Sequence, residues 1–217
     1  MSSIKRNAGQ DEESTFTDLM QRLAEFRPDW QTVSSKDSQK LLRRDNMDHY
    51  IEALEHIEQL ANNNTSPTQQ ATSIPGRVKQ LFYQIHMSYL KASVYRIAAL
   101  LSSRSTHHRI EAFSTVKDNL TTIIQSFMTL KQLSPIPSVA WGVQQATMSS
   151  ALILASPDRA LENTDSLEIL TKLCRILPHC YGSVAEEETE KMMAISYCYG
   201  LEALVFILQQ IRERMQE

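Results

Sequence analysis

Glycine is so scarce in this sequence that few tight turns are available, and this scarcity constrains the fold more than any other feature. Five glycines occur in 217 residues, against nine methionines and many Leu, Ala, Gln and Glu residues. Sheets need turn residues and β-branched side chains, whereas Leu, Met, Ala, Gln and Glu favour helices. The composition therefore predicts an all-α protein.

Apolar residues recur every three to four positions along most of the chain, which is the spacing of helices with one buried face. The polar residues 1–13 are expected to be a disordered lead, and residues 14–217 a single multi-helix bundle. The clearest stripe predicts a helix from Arg77 to Leu101. Further stripes predict helices over residues 16–26, 37–60, 113–130 and 167–177, and over a C-terminal segment that ends near Met215. The buried stripe of this last helix is predicted to comprise Met192, Ile195, Tyr199, Leu201, Leu204, Val205, Leu208, Ile211 and Met215.

Two segments between these stripes have a distinct character. Residues 139–155 are apolar nearly all round with small side chains interleaved, as is typical of a helix enclosed by others. The segment Ala61 to Pro75 is rich in Asn, Thr, Ser and Gln, and it has too few apolar groups to offset the entropy of ordering it. It is predicted to be a mobile loop.

The charge balance and the cysteines limit the classes of partner. A formal net charge of -3 argues against electrostatic binding to DNA, RNA or an anionic membrane. The three cysteines, Cys174, Cys180 and Cys198, form neither a CxxC pair nor an even set, which fits a reducing compartment. No run of eighteen apolar residues and no signal-peptide core occurs, so neither membrane spanning nor secretion is expected.

No pattern of residues predicts a catalytic or metal site. No histidine follows a glutamate by three positions, as a di-iron bundle requires, and the glycine-rich phosphate motifs are missing. His49, Glu52 and His56 share a helix face, but a solvated polar face is favoured over a metal site. His179 beside Cys180 lacks a third orienting group for nucleophilic chemistry. The sequence predicts no catalytic residue, no metal and no cofactor.

Several residues of the last helix leave alternatives open. Glu202 lies in an apolar run, where a carboxylate facing the core needs a cation such as Arg96 or takes a raised pKa. Snorkelling at the bundle edge is the favoured alternative. Five further residues either line a hydrophobic pocket or, as we favour, pack in the core: Met192, Met193, Tyr197, Tyr199 and Phe206. Cys174 and Cys198 are interpreted as packing residues.

The segment PSVAWGVQQATMSSALILA, which begins at Pro137, resembles the C-terminal part of fungal-specific transcription factor regulatory domains. The segment LFYQIHMSY from Leu81, followed by Tyr95 and Arg96, is similar to the helix that precedes it in that family. The resemblance implies a helical regulatory region that binds a protein partner or a small hydrophobic effector, in the nucleus or the cytoplasm. In that family the region follows a six-cysteine zinc cluster, which this chain lacks, so no DNA binding by the chain alone is expected.

The resemblance therefore implies a transcription-regulator-like domain, in control of fungal specialised metabolism. The alternative is a small helical enzyme of fungal natural-product biosynthesis on the same scaffold. The candidate ligand-binding residues, which also line the pocket of that alternative enzyme, are Tyr89, Arg96, Trp141, Tyr199 and Glu202. Trp141 is, in addition, predicted to be buried as a packing anchor of its helix.

Overall fold

The computed structural model describes residues 16–26, 44–64, 73–101, 106–134, 140–156, 164–177, 188–214 and 216. Helices account for nearly all of these residues, and no strand occurs among them. The all-α prediction is confirmed. The helices are α1 (16–25), α2 (Arg44–Asn64), α3 (Ile74–Leu101), α4 (Thr106–Leu133), α5 (Trp141–Leu154), α6 (Thr164–Ile176) and α7 (Glu188–Arg214).

Helix α3 begins three residues earlier than its apolar stripe, and a serine cap explains why. The Gly76 amide donates a hydrogen bond to Ser73 Oγ at 3.1 Å, and the Arg77 amide donates to the Ser73 carbonyl at 3.0 Å. Ser73 is therefore the N-cap, and it satisfies one of the amides that a helix start leaves unpaired. Pro75 fits in this first turn because its missing N–H is not needed there.

The loop predicted for Ala61 to Pro75 is helical at both of its ends. Helix α2 continues to Asn64, and Ala61 is buried to 4% exposure, which holds the last turn against the core. At the other end Ile74 and Pro75 belong to α3. Residues 65–72 lie outside the described residues, as does the lead 1–13, so the predicted mobility of these two segments stays a prediction.

The chain divides into two compact units, each with its own buried side chains. The first comprises Met1–Tyr83 with Leu90–Val116, and the second comprises Gln84–Tyr89 with Lys117–Glu217. Helices α3 and α4 each contribute residues to both. That the chain forms a single domain stays a prediction.

In the first unit, contacts between side chains join α1, α2 and α3. The Phe26 ring meets the Tyr50 ring edge-on with centroids 5.9 Å apart, and the Lys79 ammonium lies 5.6 Å from the Phe16 ring centroid. Lys91 of α3 pairs with Glu58 of α2. The buried apolar side chains of this unit are Leu19, Leu23, Leu54, Ile57, Ala61, Leu81, Ala92, Val94, Ala99 and Val116.

In the second unit, α5 is mostly buried even though it carries hydroxyl groups. Thr147 and Ser150 are fully buried, and their hydroxyls donate to the carbonyls of Val143 and Ala146 within the same helix. These bonds satisfy the hydroxyls without a partner from another helix. The interpretation of this segment as a core helix is therefore confirmed. Helix α4 contributes five buried apolar side chains to the core of the same unit: Leu120, Ile123, Ile124, Phe127 and Leu130.

Candidate interaction surface

Helix α7 packs against α5 and α6 through one face. The side chains on this face recur at helical spacing and are almost fully buried, namely Tyr197, Leu204, Leu208 and Ile211 at 0–5% exposure. Burial of this stripe removes apolar surface from water along four turns of the helix. The face of α7 that points away from these contacts is therefore fixed by the packing.

Polar and close contacts set the register of α7. The Tyr197 hydroxyl donates to the Leu177 carbonyl at 2.9 Å, and Arg212 donates to Thr171 Oγ1 at 3.0 Å. The two helices run antiparallel, because the earlier α7 residue meets Leu177, directly after the end of α6, and the later one meets Thr171 within α6. Against α5, a side chain at Gly200 would lie 3.0 Å from Met148 Cγ, so glycine permits this approach. These contacts hold α7 in place between Tyr197 and Arg212.

The opposite face of α7 exposes large apolar side chains. Tyr199 is 68% exposed, Phe206 is 61% exposed, and Val205 at their edge is 39% exposed. Glu202 and Ala203 lie between the two rings and are also exposed. Residues at i, i+3, i+4 and i+7 share one helix face, so these side chains form a continuous strip. We call Tyr199, Glu202, Ala203 and Phe206 the outer face of α7.

Single exposed apolar residues are ordinary on protein surfaces, but two aromatic rings within two turns are not. Elsewhere in the described part of the chain, the large apolar residues that stand out are single ones near helix starts, Ile74 and Ile110. Tyrosine and phenylalanine are enriched in protein interfaces because each ring buries much surface with little loss of side-chain freedom. The outer face of α7 is therefore the candidate functional site.

The sequence interpretation of this helix is wrong for four residues. Tyr199 and Val205 are exposed although they were placed in the buried stripe, and Cys198 is exposed although it was interpreted as a packing residue. Phe206, for which core packing was also favoured, is exposed, whereas Tyr197 of the same set is buried. The reason is that Leu204 and Leu208 fix the inner side of the helix, so that Tyr199 and Phe206 lie on the opposite side and Cys198 and Val205 lie on one flank.

Glu202 is exposed, so no buried cation is needed to compensate its charge. It lies on the outer face of α7 with Tyr199, and these two candidate ligand residues are brought together. Tyr89 of α3 is half-buried and belongs to the second unit, as α7 does. Arg96 of α3 is exposed and belongs to the first unit. Trp141 is the first residue of α5, but its side chain lies outside what the structure describes, so its predicted burial stays a prediction.

A cluster of polar side chains in the first unit was missed by the sequence interpretation. Lys91 Nζ lies 2.5 Å from Glu58 Oε2, with 18% and 42% of their side chains exposed. The Tyr83 hydroxyl is buried and has no hydrogen-bond partner. Burial and the nearby Glu58 raise the pKa of Tyr83 to about 12, and burial with Glu55 and Glu58 raises the pKa of Tyr95. Both hydroxyls therefore stay protonated.

The other titratable candidates show no assembled site. His49, Glu52 and His56 are exposed, and within the described ranges no three or more His, Cys, Asp or Glu side chains are arranged to hold a metal. Burial raises the pKa of the Cys174 thiol, which keeps it in the unreactive protonated form. His179 and Cys180 lie outside the described residues. None of the described helices has both the length and the apolar character needed to cross a bilayer.

Comparison with family models, with curated proteins and with solved structures found no match to this chain. The resemblance to fungal regulatory domains therefore stays a prediction based on the Pro137 and Leu81 segments alone.

Proposed function

We propose that this chain is a helical regulatory domain that acts by binding a protein partner through the outer face of α7. The sequence resemblance extends the proposal to transcription control of fungal specialised metabolism, with the protein in the nucleus or the cytoplasm. The observation that carries the proposal is the pair of exposed rings of Tyr199 and Phe206 on a firmly packed helix.

The packing of α7 favours partner binding over an internal pocket at these residues. Its inner face is occupied by α5 and α6, while Tyr199 and Phe206 project away from them. A rigid, pre-positioned aromatic pair loses little entropy when a partner covers it. A catalytic pocket requires side chains that converge on a water-excluded space, and the exposure of Tyr199 and Glu202 does not supply one. The interaction function is therefore preferred to the enzyme.

Site-specific photo-crosslinking tests the surface in the native cell. A benzoylphenylalanine at position 206 should form an adduct with one defined protein, whereas the same residue at exposed Gln125 of α4 should not. The identified protein, once purified, should bind the full chain and lose that binding with Tyr199→Ser/Phe206→Ser. Because both positions are exposed, the variant should keep its melting temperature. Unchanged binding by the folded variant, or the same adduct from position 125, would contradict the proposal.

The regulatory and enzymatic alternatives predict different transcript and metabolite levels when the protein is defective. When the gene is replaced by the Tyr199→Ser/Phe206→Ser variant, a regulator should lose transcripts of its target genes. An enzyme should instead keep the transcripts and accumulate one biosynthetic intermediate. Transcript and metabolite profiles of the same cultures separate the two.

A further inference from the structure

The outer face of α7 places a carboxylate between two aromatic rings. Tyr199, Glu202 and Phe206 stand at i, i+3 and i+7, so the Cα atoms of the two aromatic residues are about 10 Å apart along the helix axis and Glu202 lies between them. All three side chains are exposed. A partner that covers the rings must therefore also cover the carboxylate.

A purely apolar partner surface does not suit this arrangement. If it buried the rings of Tyr199 and Phe206, it would strip water from Glu202 and leave a charge without compensation, which is strongly unfavourable. A cation removes this penalty. The faces of both rings attract a cation within about 6 Å of their centroids, and the carboxylate supplies its counter-ion.

We propose, on the basis of the function proposed above, that the outer face of α7 binds a cationic side chain of its protein partner, and that this side chain is an arginine in preference to a lysine. The cation inserts between the rings of Tyr199 and Phe206 and pairs with the Glu202 carboxylate. Arginine fits better than lysine because its planar guanidinium stacks on aromatic faces while it donates two parallel hydrogen bonds to a carboxylate.

A second copy of this chain is a poorer occupant than a basic partner. Two α7 helices paired symmetrically over these rings, parallel or antiparallel, bring two Glu202 carboxylates to nearly the same level. On this helix Arg212 already bonds Thr171, and Lys191 and Arg214 each lie about three turns from Glu202. Self-association therefore gives like-charge repulsion where a basic partner gives attraction.

A designed helical peptide with a leucine-rich face and one central arginine is the probe, and the intact chain is the protein. Control peptides carry citrulline or glutamate at the central position, because citrulline keeps the shape of arginine and loses its charge. Fluorescence anisotropy at low salt should show the arginine peptide binding about tenfold more tightly than the citrulline peptide, and the glutamate peptide most weakly.

Substitutions on α7 identify the residue that gives this preference. Glu202→Gln should abolish the preference for arginine over citrulline, and Glu202→Arg should favour the glutamate peptide. Glu213→Gln, which removes an exposed carboxylate three turns away on the same helix, is the matched control and should retain the preference. Sedimentation of the intact chain alone should show a monomer at the concentrations used.

Each failure has a separate meaning. Equal binding of the arginine and glutamate peptides, a preference that survives Glu202→Gln, or no peptide binding overturns the cation proposal. If the position-206 adduct still forms and its purified partner still depends on Tyr199 and Phe206, the proposed function stands without the cation. If neither the adduct nor the peptide preference is found, both are wrong. Self-association that Tyr199→Ser/Phe206→Ser abolishes would assign the face to a second copy and also overturn the cation proposal.

Discussion

The Tyr83 hydroxyl of α3 is buried without a hydrogen-bond partner, which makes Tyr83→Phe an informative substitution. Removing a buried, unsatisfied hydroxyl should raise the free energy of unfolding by about 1 kcal/mol. Tyr197→Phe is the matched control, because its hydroxyl donates to the Leu177 carbonyl. That variant should lose about 1–2 kcal/mol. Urea unfolding measures both changes, and an equal loss in the two variants would contradict this interpretation.

His86 makes the stability of the protein depend on pH. Burial lowers its pKa from the ordinary value of 6.5, so the unfolded chain binds a proton there more readily than the folded chain does. The stabilising contribution of the neutral ring is therefore complete above about pH 6.5 and is lost as the pH falls toward the lowered folded pKa.

His86→Gln should remove part of this acid sensitivity. Urea unfolding of the wild type and the variant between about pH 7.5 and pH 5 should show a smaller decline in the variant. His56→Gln, at an exposed position of α2, is the control and should follow the wild-type curve. An identical decline in all three proteins would exclude His86 as a cause.

Alanine substitutions at Gly142 and Gly200 distinguish the effect of helix propensity on stability from the effect of close packing. A side chain at Gly142 meets nothing within 4 Å, so Gly142→Ala in α5 should raise the free energy of unfolding by about 0.5–1 kcal/mol. At Gly200 the added methyl lies 3.0 Å from Met148 Cγ, and Met148 is buried. Gly200→Ala should therefore gain less than Gly142→Ala. Equal gains in the free energy of unfolding, measured with urea, would mean that α5 and α7 move apart at this contact at little energetic cost.

At the level of single helices, the start of α3 depends on Ser73. Ser73→Ala removes the side-chain acceptor of the Gly76 amide and should lower the free energy of unfolding by about 1 kcal/mol. Ser73→Asp retains an acceptor and adds a negative charge at the helix N-terminus, so its stability should stay close to that of the wild type. Thermal and urea unfolding compare the three proteins. A loss of similar size in Ser73→Asp would show that the cap is not the cause.

Helix boundaries also show which local signals the apolar stripe alone misses. The stripe placed the start of α3 at Arg77, but Ser73 followed by Pro75 is itself a start signal that predicts the observed boundary. Helix α6 likewise begins at Thr164, three residues before its apolar stripe. Asp165 lies in the first turn, where a carboxylate complements the helix dipole. Boundaries depend on capping chemistry, which is local, so the sequence contains them.

At the scale of the whole molecule, the charge of the protein predicts how it behaves toward nucleic acids. With a net charge of -3, the protein as a whole is not electrostatically attracted to the phosphate backbone. A gel-shift titration of the intact chain with random and genomic duplexes at physiological salt should therefore show no sequence-selective complex. A tight, selective shift by the pure protein would contradict this prediction and would call for a regulatory model without a DNA-binding partner.

The sequence by itself determined the helical class and the approximate position of each helix, because periodicity, propensity and capping act within a few residues of the chain. It also placed Leu204, Leu208 and Ile211 among the apolar residues of the last helix. The difficulty is that this helix carries apolar residues on both sides, so its pattern fits more than one buried face.

Only tertiary packing decided which side of α7 is buried. The contacts of Gly200 with Met148, of Tyr197 with Leu177 and of Arg212 with Thr171 orient the helix toward α5 and α6. Tyr199, Glu202 and Phe206 then face outward. The cluster of Tyr83, Glu58 and Lys91 has the same origin, since Glu58 on α2 meets two residues of α3 through the packing of these helices. Such juxtapositions follow from how helices meet, and no local spacing contains that information.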